Sequence, residues 1–133
     1  MLRQKTGIKQ TRQRPMMQTT LLTPSGSPVR VEVATTRRER QRGLAYRSSL
    51  EPGRGMLLAF EQPGFHAITM QGMSFSIDIL WINRHKRILW SVQNAPLEMG
   101  PSAFHSEPSL YVLEIAAGEM QRLGLKLGDV LRF

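Results

Sequence analysis

The chain has 133 residues, of which 41% are hydrophobic and 21% are charged, so it is long enough for one globular domain and too apolar for a disordered chain. It contains no cysteine, which excludes disulfide bonds, thiolate metal sites and a cysteine nucleophile. Eighteen lysines and arginines against ten acids give a net charge of +8, a balance that attracts polyanions and acidic surfaces.

The sequence gives no sign of a membrane segment or a leader. No apolar run reaches the roughly 18 residues of a membrane-spanning helix. The N-terminal residues also lack the apolar core of a secretory signal. We therefore expect a soluble, cytoplasmic protein without a membrane span.

The first 17 residues form a distinct basic segment. They contain no acid and show neither the period of a strand nor that of a helix. We interpret residues 1–17 as a flexible tail and residues 18–133 as a single globular domain. The tail is either a solvated extension or an arm that contacts nucleic acid or another polyanion. Its basic residues are Arg3, Lys5, Lys9, Arg12 and Arg14.

The domain begins with a predicted hairpin and a short helix. Residues 20–22 and 29–33 are strand candidates, separated by a turn rich in proline, serine and glycine. Thr36 and Glu39 then have the spacing of a capping box, which predicts the start of a helix. Gly43 is suited to end that helix after about two turns.

The rest of the chain is rich in short strand patterns. A second short helix is predicted over residues 118–123, and residues 65–74 receive no assignment. No long helix alternates with the strands, which argues against a doubly wound parallel sheet. We predict an α+β, mostly β fold, namely a compact antiparallel barrel-like domain of seven to eight short strands with two short helices. The further strands are predicted over residues 56–60, 75–83, 87–92, 110–115 and 130–133.

The three histidines do not form a local metal motif. His66, His85 and His105 lie about twenty residues apart, without the spacings that place two ligands on one helix or strand face. We interpret them as surface residues in loops, and convergence of the three in space remains the alternative. No metal or cofactor is predicted.

Asp78 and Glu114 are the only acids inside apolar strand runs. A buried carboxyl without a partner is costly, so Asp78 is expected to pair with a group such as Arg40, Arg47 or Arg54. The structural interpretation of Asp78 is a buried ion pair or a carboxyl that caps a loop. The functional interpretation is ligand binding or acid/base chemistry, which Glu114 could share if both acids line one cleft.

Several segments together resemble the family called domain of unknown function 192. The resemblance begins with RQRGLAYRSSL at residues 40–50 and GMLLAF at residues 55–60. It continues through Met70, Ile77-Asp78-Ile79, Val112-Leu113-Glu114 and the Gly128-Asp129 turn, and it covers residues 29–133. It implies a compact, mostly β, barrel-like fold and no particular activity. Many relatives in the family look exported, whereas no signal is visible here.

The chain departs from the family pattern in one loop. Residues 68–73 lack the aromatic pair and the Asn-Thr pair that are usual there in the family. If this loop forms a polar site in relatives, the resemblance implies that the site is altered or lost in this chain.

Three functional hypotheses follow. The first is a small non-enzymatic binding or accessory domain with a pocket for a small molecule or protein near Arg47, Met70, Asp78 and Glu114. The second is a nucleic-acid or anionic-surface binder that works through the basic tail. The third is a hydrolase-like enzyme that uses the two carboxyls.

Overall fold

The computed structural model describes residues 15–133 of the chain. Six strands form one sheet within these residues, and two short helices pack against it. The strands are β1 (Met17–Leu22), β2 (Pro28–Ala34), β3 (Arg54–Gly64), β4 (Ile77–Ile82), β5 (Ile88–Val92) and β6 (Ser109–Ala116). The helices are α1 (Arg37–Arg42) and α2 (Glu119–Arg122).

The sheet is mixed, with the order β1-β2-β3-β6-β4-β5. Strands β2 and β3 pair in parallel, and every other neighbouring pair is antiparallel. A parallel pair needs a crossover connection, and residues 35–53, which include α1, supply it. The prediction of a purely antiparallel sheet is therefore wrong at this pair, because the direction in which the chain returns after α1 is not visible in the sequence.

The sheet has fewer strands than predicted. Residues 130–133, the expected last strand, form only two isolated bridges in the described chain, from Leu22 to Arg132 and from Arg87 to Val130. Residues 130–132 thus contact both the end of β1 and the residue just before β5. Strands β1 and β5 are the two edge strands of the sheet. The sheet itself is not closed. The α+β, mostly β character is confirmed, whereas seven to eight strands and closure into a barrel are not.

Helix α1 begins at the capping box that the sequence predicts. The Thr36 hydroxyl accepts a hydrogen bond from the Glu39 backbone N–H at 3.1 Å, and the Glu39 carboxyl accepts one from the Thr36 N–H at 3.1 Å. The helix ends where Gly43, with φ of 52°, turns the chain and donates to the Glu39 carbonyl at 2.9 Å. Both ends of the helix are thus set by local sequence.

Each face of the sheet buries an apolar cluster. We call the face that packs against α2 the α2 face, and the face that packs against the segment after α1 the α1 face. The cluster of the α2 face includes Leu57, Leu80, Leu113, Ile115, Met120 and Leu123. The cluster of the α1 face includes Leu44, Met56, Leu58, Met70, Ile79 and Trp81. Within residues 15–133, neither helix has the length and hydropathy needed to cross a membrane.

Candidate functional site

Asp78 lies on β4 and points into the α2 face, where it is fully buried. Its Oδ1 accepts a hydrogen bond from the Asn94 N–H at 2.8 Å. Its Oδ2 accepts from the N–H groups of Gly118 at 3.1 Å and Met120 at 2.9 Å. The expected arginine partner is therefore wrong, because backbone N–H groups satisfy this carboxyl. Asp78 ties the loop after β5 and the start of α2 to the centre of the sheet.

Glu114 lies on β6 and points into the opposite face. It pairs in register with Met56 of β3 and with Ile79 of β4, whereas Asp78 pairs with Ile115. Side chains of directly paired residues share a face, and neighbours along a strand alternate. Asp78 and Glu114 are thus on opposite faces of the sheet and do not share a cleft.

The Glu114 carboxyl is buried without full hydrogen bonding. The residue is 5% exposed, and the backbone N–H of Leu44 donates a hydrogen bond to its carboxyl. Its Oε1 has no hydrogen-bond partner among the described residues. Burial raises the pKa of Glu114 to about 7, against the smaller opposing effect of the Leu44 N–H. Near neutral pH the ionised carboxylate, which only accepts hydrogen bonds, and the protonated carboxyl, which also donates one, are therefore both populated.

Gly43 makes room for this carboxyl at the end of α1. A Cβ atom at Gly43 would lie 3.2 Å from Glu114 Oε1, a contact tighter than van der Waals packing tolerates easily. The positive φ of Gly43 also aims the following Leu44 backbone at Glu114. The glycine turn thus supplies both the N–H donor and the free space beside the unpaired oxygen.

A cavity of about 190 Å³ opens above Glu114, and we call it the central pocket. One wall is the end of α1 with residues 43–45, and the other is the loop of residues 67–73. Leu58 and Ile77 from the sheet add apolar surface beside the carboxyl. Among the residues that line the cavity, the ionisable ones are Glu114, Arg40 and Arg42.

The loop that forms the second wall is the segment that the sequence left unassigned. It is held by backbone hydrogen bonds from Ile68 to Ser102 at 2.8 Å and from Met70 to Met99 at 3.1 Å. The Met70 side chain is buried in the core of the α1 face and does not line the cavity. Of the predicted site residues, Met70 is thus beneath the pocket wall and Glu114 is inside the pocket.

Two depressions continue the central pocket along α1. One, of about 350 Å³, is lined by residues that include Arg37, Phe60 and His66, and it shares Arg40 with the central pocket. The other, of about 340 Å³, is lined by residues that include Arg38 and Tyr46, and it shares Arg42 with the central pocket. We call the central pocket and these two depressions together the α1 groove. The residues that define it are Arg37, Arg38, Arg40, Arg42, Tyr46, Phe60, His66 and Glu114.

Arg47 lies outside the α1 groove. Its Nη1 forms an ion pair with Glu32 Oε1 at 2.6 Å, in a separate depression that Arg30 and Arg54 also line. Of the four residues predicted to share a pocket, only Glu114 therefore lines the central one. The basic residues of the predicted tail, Arg3, Lys5, Lys9, Arg12 and Arg14, lie outside the described residues.

The histidines do not converge. The His66 ring stacks on Phe60 with centroids 3.7 Å apart, and the His105 ring lies 5.8 Å from that of Phe65. His85 sits in the turn after β4, where its backbone N–H donates to Asn83. No cluster of three or more histidines and acids suited to hold a metal occurs in residues 15–133.

Sequence reasoning missed the residues that build the groove around Glu114. Tyr46 has φ of 68° and is 74% exposed, an unusual conformation for a large side chain. Only the run of arginines in α1 and the glycine at its end were visible as signals, and the sequence did not show which strand they would meet. The Phe60 and His66 rings meet where β3 shifts its register against β6, between Ala59 and Gly64, and the sequence does not show this shift.

Comparisons with known proteins agree with the sequence resemblance. The model of the DUF192 family, described as an uncharacterized ACR, matches residues 20–133. The structure of a candidate transcription regulator from Sinorhizobium meliloti 1021 is 31% identical, with a TM-score of 0.79 over 90% of this chain and 96% of that one. A protein of unknown function from Novosphingobium aromaticivorans DSM 12444 is 29% identical, with a TM-score of 0.78 over 89% of this chain and 85% of that one. No curated protein matches the chain.

Proposed function

The chain belongs to the DUF192 family, and we propose that its domain is a binding module whose central pocket takes a small ligand that donates a hydrogen bond to Glu114. The observation that carries this proposal is the unpaired Oε1 of a carboxyl that is only 5% exposed. A buried polar atom without a partner costs roughly 1–3 kcal/mol. A ligand N–H or O–H that reaches Oε1 removes that cost.

The walls of the central pocket define the character of the ligand. Leu58, Ile68 and Ile77 offer apolar contacts, while Thr69 and Gln71 supply polar groups. A volume of about 190 Å³ is below the roughly 300–1,000 Å³ of pockets for drug-sized molecules. The pocket therefore suits one small ring or one short polar group rather than a large rigid molecule.

The arrangement favours binding over hydrolysis. The third sequence hypothesis requires Asp78 beside Glu114, but Asp78 is on the other face of the sheet with three N–H donors. Within residues 15–133, the lining of the central pocket includes no second acid and no histidine that could exchange a proton with Glu114. A single buried carboxyl with one free oxygen is suited to recognise a donor.

An NMR titration of the full-length protein tests the proposal with two donors, acetamide and methylguanidinium. We expect both to shift the backbone amide signals of Gly43, Leu44 and Ala45, because these residues line the pocket around Glu114. Methylguanidinium binding should strengthen as the pH rises through about 7, since the ionised carboxyl attracts the cation more strongly. Arg40 and Arg42 are the other charged residues among the described residues that line the pocket, and they repel the cation.

Two variants separate the pocket from the rest of the surface. Glu114→Leu removes the acceptor and should abolish the shifts for both compounds. Glu32→Gln removes a carboxyl on the same face that is already paired with Arg47, and it should leave them unchanged. Shifts that persist in Glu114→Leu, or that centre on other residues, would contradict a binding site at Glu114.

A further inference from the structure

The α1 groove is strongly basic. Its wall carries four arginines within one short helix, Arg37, Arg38, Arg40 and Arg42. Among the described residues that line it, Glu114 is the only acid. The ion pairs formed between described residues involve Arg47, Arg122 and Lys126, and they leave these four guanidinium groups out. The two flanking depressions thus complement anionic groups on either side of the central pocket, while Glu114 is the acceptor within it.

The four arginines are not equivalent. Arg40 is fixed in place, because its Nη1 donates to the carbonyls of Thr35 at 2.5 Å and Ala59 at 3.2 Å. Arg37, Arg38 and Arg42 are exposed, and Arg38 and Arg42 are one helical turn apart. The exposed three are therefore available to contact a ligand, while Arg40 contributes its charge to the groove.

Aromatic rings mark both ends of the α1 groove. At one end the Tyr46 ring is exposed and packs beside Gly72, where a Cβ atom would lie 3.1 Å from the ring. Arg42 lies over this ring, with its guanidinium carbon 5.5 Å from the centroid. At the other end the Phe60 ring is already covered, because the His66 ring stacks on it at 3.7 Å and the Arg40 guanidinium carbon lies 5.2 Å from its centroid, so His66 is the outer ring there. Aromatic rings and arginine planes are the surfaces on which unpaired nucleobases stack.

From these features we propose that the α1 groove binds single-stranded nucleic acid, with one base in the central pocket and the neighbouring phosphates on the exposed arginines of α1. The assignment of the base to the pocket rests on the proposed function. Glu114 Oε1 would accept a hydrogen bond from the exocyclic amino group of that base, as carboxylates accept from the N4 amino group of cytosine. The apolar walls formed by Leu58, Ile68 and Ile77 would contact its ring.

A strand fits the α1 groove better than a free nucleotide does. The basic and aromatic residues extend to both sides of the central pocket, towards Tyr46 and towards Phe60. A mononucleotide with its base at Glu114 would reach one side only. A strand that enters past one ring and leaves past the other would use both.

Fluorescence anisotropy of the full-length protein with a short labelled oligodeoxycytidylate tests this proposal. Each phosphate contact on a single strand contributes about −0.7 to the slope of log affinity against log salt concentration. Replacing Arg38 and Arg42 by Gln should therefore reduce the slope by about 1.4 if each contacts one phosphate. Arg12→Gln with Arg14→Gln removes the same charge from the tail and is the matched control, expected to keep the slope.

The stacking and base contacts give independent readouts. Tyr46→Ala should weaken binding roughly ten-fold, and Tyr46→Phe should keep it, because the ring rather than the hydroxyl stacks on a base. Oligodeoxycytidylate should bind roughly ten-fold more tightly than oligothymidylate, which lacks an exocyclic amino group. Glu114→Leu should remove this preference, while Glu114→Gln, which retains an acceptor, should keep part of it.

Three results would overturn the proposal. A slope that falls in the tail variant and not in the α1 variant would place the contacts in the tail. Equal affinities for cytidine monophosphate and the oligonucleotide would mean that a nucleotide, not a strand, is the ligand. No oligonucleotide binding, with acetamide and methylguanidinium still bound at Glu114, would reject the nucleic acid and leave the proposed function intact.

Discussion

The two faces of the sheet bury their carboxyl groups in different ways. On the α2 face, Asp78 accepts three backbone hydrogen bonds, and Glu119 accepts from the Gly53 N–H at 2.7 Å and pairs with Arg122. On the α1 face, Glu114 receives one backbone N–H and keeps one oxygen unpaired beside a cavity. The α2 face uses its acids to hold loops in place. On the α1 face, Glu114 Oε1 can accept a further hydrogen bond from a ligand.

The difference follows from what surrounds each acid. The start of α2 and the loop after β5 present N–H groups to Asp78, so its desolvation is offset. Around Glu114, the pocket offers apolar side chains such as Leu58, Ile68 and Ile77. Burial is therefore the largest influence on the pKa of Glu114 and raises it. Four substitutions test this contrast.

The largest effect is expected for Asp78→Ala. The substitution leaves three buried N–H groups without an acceptor, at roughly 1–3 kcal/mol each if none finds water. We expect the free energy of unfolding, measured by urea denaturation, to fall by about 4 kcal/mol. A loss below about 1 kcal/mol would mean that these hydrogen bonds do not hold α2 to the sheet.

Unlike Asp78→Ala, Glu114→Gln should raise the free energy of unfolding relative to the wild type above pH 7, and this effect should depend on pH. A carboxyl whose pKa rises from 4.5 to about 7 on folding stabilises the protein least above pH 7, since the unfolded state releases its proton first. Wild-type stability should therefore fall by roughly 3 kcal/mol relative to the variant between about pH 4 and pH 8. Denaturation of both proteins at the two pH values measures this, and parallel pH profiles would contradict it.

Gly43→Ala tests the space beside Glu114. Gly43 has φ of 52° and ψ of −129°, and its added Cβ would lie 3.2 Å from Oε1. We expect the free energy of unfolding to fall by about 2 kcal/mol, from backbone strain and from crowding of the carboxyl. Gly26→Ala is a matched control, with φ of 89° and open space around its Cβ position. Equal losses in the two would assign the whole effect to the backbone.

Glu119→Gln should show the smallest effect, with a pH dependence opposite to that of Glu114→Gln. The hydrogen bond with Arg122 is the main cause that lowers the pKa of Glu119 below its usual value of 4.5. A carboxyl with a lowered pKa stabilises the fold above its unfolded pKa and loses this contribution as the pH falls through the folded value. The variant should lose about 1 kcal/mol near pH 7 and less near pH 3. A larger loss at acid pH would contradict the contrast between the faces.

The sequence predicted the parts of this contrast that depend on local pattern. The capping box of Thr36 and Glu39 and the strand runs around Asp78 and Glu114 follow from residues near in the chain. The need of Asp78 for a partner was also predicted from burial alone. The partner was misidentified as an arginine, because N–H groups from Asn94, Gly118 and Met120 have no side-chain signature.

The parts that depend on register and long-range contacts were not predictable. That Asp78 pairs with Ile115, and not with Glu114, is set by the alignment of β4 with β6. The wall of residues 67–73 has no period of its own, and contacts with residues 99 and 102 hold it. The place of Gly43 and Leu44 beside Glu114 of β6 likewise depends on the parallel return of β3, which no single segment encodes.

A ¹³C NMR titration of the glutamate side-chain carboxyls in the full-length protein tests directly whether Glu114 is buried with an unpaired oxygen. We expect one carboxyl to titrate with a midpoint about 7, this signal to be absent in Glu114→Gln, and methylguanidinium to lower its midpoint. If every glutamate titrated near the usual 4.5, Glu114 would be solvated or fully partnered. That result would remove the contrast between the two faces and the binding site that rests on it.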